Sequence, residues 1–320
     1  MLVPVLLFIV GLIFLIKGGD WFVDAATGIA HRFHMPELLI GATVVSIGTT
    51  LPEVMVSATS ALGGHGEIAY GNAIGSVICN TALIAALTIA IRPSAVDRRT
   101  LVTPVGAFFL CAVAYCIPAY TRGRFDRMTG FILLALFVLY MAYTVLQMKK
   151  TPAARPADAA AAPEGPLAKD VGMLVVGAAV IAVGANLLVD NGTLIAKALG
   201  VPESVIALTF VALGTSLPEL VTAITSLAKG HGALSLGNII GANIFNLVLV
   251  SGASAALAPF DIPTAAQVLG RPSSLVVDLP LMLLVMAVLT LPALLRGKLS
   301  RWQGVSLLCV YAAYCIFQFT

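Results

Sequence analysis

The sequence predicts an all-α integral membrane protein of ten transmembrane helices, arranged as two inverted five-helix repeats. Three observations carry that reading. The 320 residues are 59% hydrophobic and only 10% charged, with a mean hydropathy of +1.02, whereas soluble domains carry about a quarter charged residues. Ten segments are apolar and long enough to cross a bilayer, which takes roughly 20 residues each. The chain also matches itself at an offset of 166 residues without a gap. Such a composition excludes an ordinary soluble protein, a disordered chain and a small disulfide scaffold. A net charge of +3 offers no basic face for nucleic acid.

The spans in order are 4–30, 38–62, 68–91, 101–120, 126–147, 171–198, 204–228, 234–257, 273–295 and 300–319. The first has no Lys or Arg before Lys17 and runs through Gly18-Gly19-Asp20 without a small-residue cleavage site. It is therefore read as a retained helix, not a signal peptide. With the N-terminus outside, 12 Lys and Arg fall in the inside connections, among them Arg32, Arg92, Lys229, Arg296 and Lys298. Only 5 fall outside: Arg122, Arg124, Arg127, Lys197 and Arg271. The positive-inside bias then places both termini outside and the central connection in the cytosol. That connection, 149–169, holds Pro152, Pro156, Pro163 and Pro166. No helix persists through such spacing, so it is read as a flexible tether between repeats at 1–148 and 170–320. The five cysteines (Cys79, Cys111, Cys116, Cys309 and Cys315) lie in or beside apolar runs without a CxxC. They are read as small buried hydrophobes.

The repeat is explicit. Ser46–Glu53 reads SIGTTLPE and Ala212–Glu219 reads ALGTSLPE; Gly71–Asn80 reads GNAIGSVICN and Gly237–Asn246 reads GNIIGANIFN. The same offset pairs Asp24 with Asp190, Pro36 with Pro202, Glu37 with Glu203, and His65 with His231. Five spans per half is an odd number, so the second copy enters the membrane from the opposite side. Inverted repeats of this kind belong to secondary transporters, which hold their substrate near the midplane between the two copies.

Glu53 and Glu219 fall about mid-span, where an ionised carboxylate costs several kcal/mol unless it faces a cavity, a partner or an ion. Each follows a proline. Pro52 and Pro218 cannot donate to the carbonyls of Gly48 and Gly214, which predicts an unwound or kinked helix with free backbone oxygens. Thr49 and Thr215 lie four residues before the glutamates, on the same helical face, and Thr50 and Ser216 add hydroxyls one position along. In the following spans Asn72, Ser76 and Asn80 are spaced by four, as are Asn238, Ala242 and Asn246, so each set lines one stripe. Ser76, Asn80 and Asn246 lie beside the glutamates and are read as ion contacts. For Asn72 and Asn238, interhelical hydrogen bonding is an equal alternative. The pairs Gly71/Gly75 and Gly237/Gly241 read as close helix contacts.

This is a set of hard oxygen donors with two negative charges and no sulfur or imidazole. Ca²⁺ takes 6–8 oxygen ligands in flexible geometry, transition metals prefer His or Cys, and Mg²⁺ resists dehydration. Two glutamates balance one Ca²⁺, and they equally accept several Na⁺ or protons. Ca²⁺ is preferred, and competition for the same carboxylates gives exchange a physical basis.

The paired GTTLPE/GTSLPE and GNAIGSVICN/GNIIGANIFN blocks closely resemble the two alpha-repeats of the sodium/calcium exchanger (calcium/cation antiporter) superfamily, compact prokaryotic type. The resemblance implies a ten-helix exchanger in which the first and sixth helices slide past a core bundle during alternating access. It implies Glu53 and Glu219 as central ligands, Thr49 and Thr215 at the calcium position, and Thr50, Ser76 and Ser216 at sodium positions. It also implies backbone carbonyls at Ser46 and Ala212, with Asn80 and Asn246 lining the middle. Two departures stand out. Asn246 replaces the aspartate of some relatives, which argues for potassium independence, and Ala242 replaces a common serine, removing one side-chain oxygen.

Other polar residues rank lower. Asp24 and Asp190 are read as capping or interhelical contacts, Asp278 as interfacial, and His65 and His231 as solvated loop residues. The expected function is Na⁺/Ca²⁺ antiport, with Ca²⁺/H⁺ antiport on the same glutamates as the alternative. An intramembrane metal-dependent enzyme is disfavoured because no Lys or Arg falls in the second, third, seventh or eighth spans; inverted repeats disfavour a passive channel. The expected partners are Ca²⁺, Na⁺ and the lipid bilayer, with H⁺ under the alternative. No cofactor, nucleic acid or obligatory protein partner is expected. Compactness points to a prokaryotic inner membrane.

Overall fold

The computed structural model describes residues 2–150, 166–199, 214–264 and 266–318. Among these are ten helices in the order expected. They are α1 (Leu2–Arg32), α2 (Glu37–Leu62), α3 (Gly66–Ile91), α4 (Arg98–Arg122), α5 (Arg127–Lys150) and α6 (Leu167–Ala198). The remainder are α7 (Leu217–Ala228), α8 (Gly232–Leu257), α9 (Ser274–Arg296) and α10 (Arg301–Gln318). The connection expected over 149–169 is shorter at both ends, because α5 runs to Lys150 and α6 already begins at Leu167. Pro166 immediately precedes that first turn, where a missing N–H costs nothing. Short two-residue strands close one end of the molecule: Arg124–Phe125 pairs antiparallel with Phe260–Asp261.

The two repeats are built alike at the level of single hydrogen bonds. After α2, Gly63, Gly64 and His65 donate to the carbonyls of Thr59, Ala61 and Ser60. After α7, Lys229, Gly230 and His231 donate to Thr225, Leu227 and Ser226, their equivalents under the 166-residue offset. Both turns need a left-handed residue, and Gly64 (φ 82°) and Gly230 (φ 87°) supply it.

The inversion is visible where α1 meets α6. An added Cβ at Gly11 would lie 2.9 Å from the Gly184 carbonyl, and one at Gly18 would lie 3.1 Å from that of Gly177. Early positions of α1 thus meet late positions of α6, and the helices run antiparallel. Gly11 and Gly177 are equivalent under the offset, as are Gly18 and Gly184, so the contact is its own mirror across a pseudo-twofold axis. That is the self-complementary pattern any two-fold contact must show.

The molecule's interior belongs to α8 and α3. In their most apolar stretches 89% and 72% of residues are buried, against 22% for α1 and α6. In α8, Gly237 and Gly241 admit α2 to backbone distance, with Leu38 and Ala42 against them, as the GxxxG spacing predicts. The residues equivalent to Leu38 and Ala42 lie outside the described residues, so Gly71 and Gly75 have no corresponding test.

Helix irregularities fall where no break was expected. Five-residue or six-residue π-turns occupy Gly41–Val45, Asn80–Ala85, Asn246–Val250 and Ser274–Asp278. Conversely, α2 runs through Pro52 as a helix, which corrects the expected break. The freed geometry is taken up earlier, where Ser46 Oγ donates to the Gly41 carbonyl at 2.8 Å across the π-turn. In the second repeat the expectation holds: Gly214–Ser216 form turns and α7 starts only at Leu217, with Pro218 in its first turn.

Candidate functional site

Glu53 in α2 and Glu219 in the first turn of α7 are both completely buried and within Coulombic reach of each other. Thr50 Oγ1, from the helix of Glu53, lies 3.5 Å from Glu219 Oε1, and Ser216 meets Ser76 at 3.4 Å between hydroxyls. Asn80 and Asn246 open their π-turns at equivalent positions, and both are completely buried. Among the described residues, both Glu53 carboxylate oxygens, Glu219 Oε2 and every side-chain polar atom of Asn80 and Asn246 lack a hydrogen-bond partner. Leaving one such group unpaired costs about 1–3 kcal/mol, and more when it is charged. The two acids and the hydroxyls beside them thus form a buried cage of oxygen atoms, a chemistry suited to a hard cation.

Around that cage the amides of the third and eighth helices orient the ligands. Thr49 Oγ1 donates to Asn238 Oδ1 at 3.1 Å, and its counterpart Thr215 donates to Asn72 Oδ1, also at 3.1 Å. A hydroxyl whose proton is committed to an amide oxygen turns its lone pairs the other way, as a cation ligand must. Asn72 also holds α2 through Nδ2, which donates to Ser57 Oγ at 2.8 Å and the Glu53 carbonyl at 3.3 Å. In the second repeat Ala223 stands where Ser57 stands in the first, and Asn238 Nδ2 is left without a partner. Asn72 and Asn238 thus take the interhelical role of the two that the sequence left open.

The described contacts link Glu53, Glu219, Thr50, Ser216 and Ser76, with Thr49 and Thr215 held through Asn238 and Asn72, while Asn80 and Asn246 are buried at equivalent positions of their π-turns. Ala242 is buried where Ser76 has its hydroxyl, so the second repeat offers one oxygen fewer. The Ser46 hydroxyl, which donates to the Gly41 carbonyl, also lies 3.0 Å from the Asn238 carbonyl of the other repeat. Ala212, with Pro202 and Glu203, lies outside the described residues. The π-turns at the central asparagines were missed. One signal was present in Ser46 and Ser251, five residues after Gly41 and Asn246, whose carbonyls their hydroxyls satisfy at 2.8 and 3.0 Å.

Two further readings, of His231 and Cys309, need correction. His231 is no solvated loop residue, since its Nδ1 lies 2.9 Å from Glu37 Oε1. The hydrogen bond to Glu37 raises its pKa above the ordinary 6.5, with partial burial opposing. Asp278, half-buried near the start of α9, accepts from Tyr314 at 3.2 Å and from Gln318 at 3.3 Å. Cys309 is exposed rather than buried, because its face of α10 carries no packed neighbour. Asp24 makes the expected interhelical contact, to Lys229 Nζ at 2.7 Å, while Asp190 and His65 are exposed.

Known proteins share this sequence and fold. The model of the sodium/calcium exchanger protein family matches residues 3–146 and 169–320. The chain is 36% identical to a putative antiporter, CaxA, of Alkalimonas amylolytica, with 98% of each chain covered. It is 30% identical to the sodium/calcium exchanger MaX1 of Methanosarcina acetivorans, again over 98% of each. Among solved structures, the sodium-calcium exchanger NCX_Mj soaked with Na⁺ and Sr²⁺ superposes with a TM-score of 0.82 at 31% identity. That match covers 98% of this chain and 97% of the other. A family match over both repeats, with the acidic and amide blocks at its centre, makes this chain a member of the sodium/calcium exchanger family of membrane cation antiporters.

Proposed function

We propose that this protein is a secondary active antiporter that exchanges Na⁺ for Ca²⁺ by alternating access. The observation that carries the reading is the pair of fully buried carboxylates beside hydroxyl oxygens, with three of their four carboxylate oxygens lacking a hydrogen-bond partner among the described residues. Glu53 and Glu219 bind the divalent ion and neutralise it outright. Thr49 and Thr215, with the carbonyls of Ser46 and Ala212, fill its remaining shell, since Ca²⁺ needs 6–8 oxygens. Thr50, Ser76 and Ser216 serve Na⁺ beside the same carboxylates, and Asn80 and Asn246 line the middle. Because the acids are shared, Ca²⁺ and Na⁺ compete, and the empty cage carries uncompensated charge that resists crossing between faces. Named relatives that are sodium/calcium exchangers support this choice of ions.

Purified protein in sodium-loaded vesicles should take up Ca²⁺ as sodium runs outward, while a proton gradient alone should drive nothing. Uptake that follows the proton gradient and ignores sodium would transfer the reading to Ca²⁺/H⁺ antiport. The excess of Lys and Arg supports a cytosolic position for the end bearing Arg32, Arg92, Lys229 and Lys298, in what we take to be a prokaryotic inner membrane. In a cysteine-free background, Lys298→Cys should be hidden from an impermeant thiol reagent in intact cells. Labelling from outside would reverse the orientation.

A further inference from the structure

One strong contact beside the cage does not obey the pseudo-twofold axis. Asn243 Nδ2 donates to Thr81 Oγ1 at 2.7 Å, joining α8 to α3. Thr81 in turn donates to the Val77 carbonyl at 2.7 Å, and Met286 Sδ of α9 closes the group at 3.2 Å from Asn243 and 3.3 Å from Thr81. Asn243 and Thr81 are completely buried. The equivalents of Asn243 and Thr81 under the offset are Val77 and Leu247, neither of which can form such a bond with its side chain.

The place of this bond matters more than its strength. Thr81 directly follows Asn80, which opens one π-turn, and Asn243 lies one helical turn before Asn246, which opens the other. A π-turn carries a helix residue out of register and is easily lost to a regular turn, so the direction of each central asparagine depends on what holds its turn. We propose that Asn243 is a positioning residue of the exchange site: by gripping Thr81 it fixes the two π-turns against each other and so aims Asn80 and Asn246 at the bound cation. Asn243 does not touch the ion in this role. Its effect rests on the cation-exchange reading of the cage, but not on which cations are exchanged.

The test measures half-saturating concentrations of Na⁺, Ca²⁺ and Sr²⁺ for thermal stabilisation of detergent-purified protein, with vesicle exchange in parallel. The variants are Thr81→Val, Thr81→Ser, Asn243→Leu and the double variant Thr81→Val/Asn243→Leu. Loss of one buried hydrogen bond predicts a rise of about three- to tenfold in half-saturation for Thr81→Val and for Asn243→Leu. Because one bond is removed twice, the double variant should be no worse than the weaker single variant. Thr81→Ser, which keeps the hydroxyl, should bind cations like the parent chain. Effects that multiply in the double variant, equal damage from Thr81→Ser, or a lower melting temperature with unchanged half-saturation would each overturn the proposal. Stabilisation of the parent chain by Na⁺ but not by Ca²⁺ or Sr²⁺ would defeat the calcium assignment alone, with the positioning role still read through Na⁺. A parent chain that no cation stabilises would defeat both.

Discussion

Glu53 and Glu219 are the residues on which the site stands, and their burial with three of four carboxylate oxygens unpaired makes their role testable apart from folding. Replacing either carboxylate with the isosteric amide removes a buried charge that no described side chain compensates, so stability should hold or rise. Transport should fail: Glu53→Gln and Glu219→Gln should each lower exchange at least 100-fold, the scale expected when half the charge opposing a dehydrated divalent ion is lost. Vesicle flux together with melting temperature checks both halves of the statement. Exchange retained in both variants would remove the glutamates from the site. These residues were legible in the sequence because an acid in mid-membrane is costly and a symmetric pair is doubly so. The supporting role of Asn72 and Asn238 was not, since an amide stripe looks the same whether it touches an ion or a threonine. The distinction needed the 3.1 Å bonds from Thr49 and Thr215.

Among the helices, apolar length set the bounds to within a few residues for all but the seventh, whose expected start at 204 lies outside the described residues, and the repeat fixed their inversion. What periodicity could not give was the contact between α1 and α6. Gly11, Gly18, Gly177 and Gly184 are scattered among many glycines, and their pairing emerges only when the helices cross antiparallel. Gly11→Leu or Gly177→Leu should therefore destabilise the protein by about 1–3 kcal/mol through overpacking. An added Cβ at Gly11 approaches the Gly184 carbonyl to 2.9 Å, and one at Gly177 approaches the Phe22 amide nitrogen to 2.8 Å; backbone cannot rotate out of the way. Gly106, exposed and with open space around it, provides the control, where Leu should change little. Thermal melting in detergent distinguishes the two, and equal effects at Gly106 and Gly11 would remove the close crossing. The prolines teach a related limit. Pro52 and Pro218 occupy identical motifs, yet only the second sits at a helix start. A missing N–H marks a weak point, and the packing around it decides where the helix yields.

Across the whole molecule, the two repeats differ in the charged side chains at their helix ends. At one end Lys229 bonds Asp24 at 2.7 Å and reaches Asp20 at 3.3 Å, while His231 bonds Glu37. The offset places Gly63, Asp190 and Asn186 opposite Lys229, Asp24 and Asp20 at the other end, so no such ion-pair cluster can be built there. His231 gives this asymmetry a pH signature. Its pKa in the folded state is raised by the hydrogen bond to Glu37, with Asp24 adding to the pull and burial and Lys229 opposing. His31 faces the same carboxylate at 4.0 Å. A raised histidine pKa stabilises the fold while the imidazole is protonated. The contribution is full below the unfolded value of about 6.5 and fades as pH climbs through the higher folded value. His231→Gln should therefore melt below the parent chain at pH 6, and the gap should close toward pH 9, where the parent's His231 is neutral. Melting curves of both proteins at 0.5-unit steps over that range, with ionic strength held constant, give the gap directly. A gap of constant size across the range would mean that His231 holds Glu37 as a neutral donor and that the charge contributes nothing.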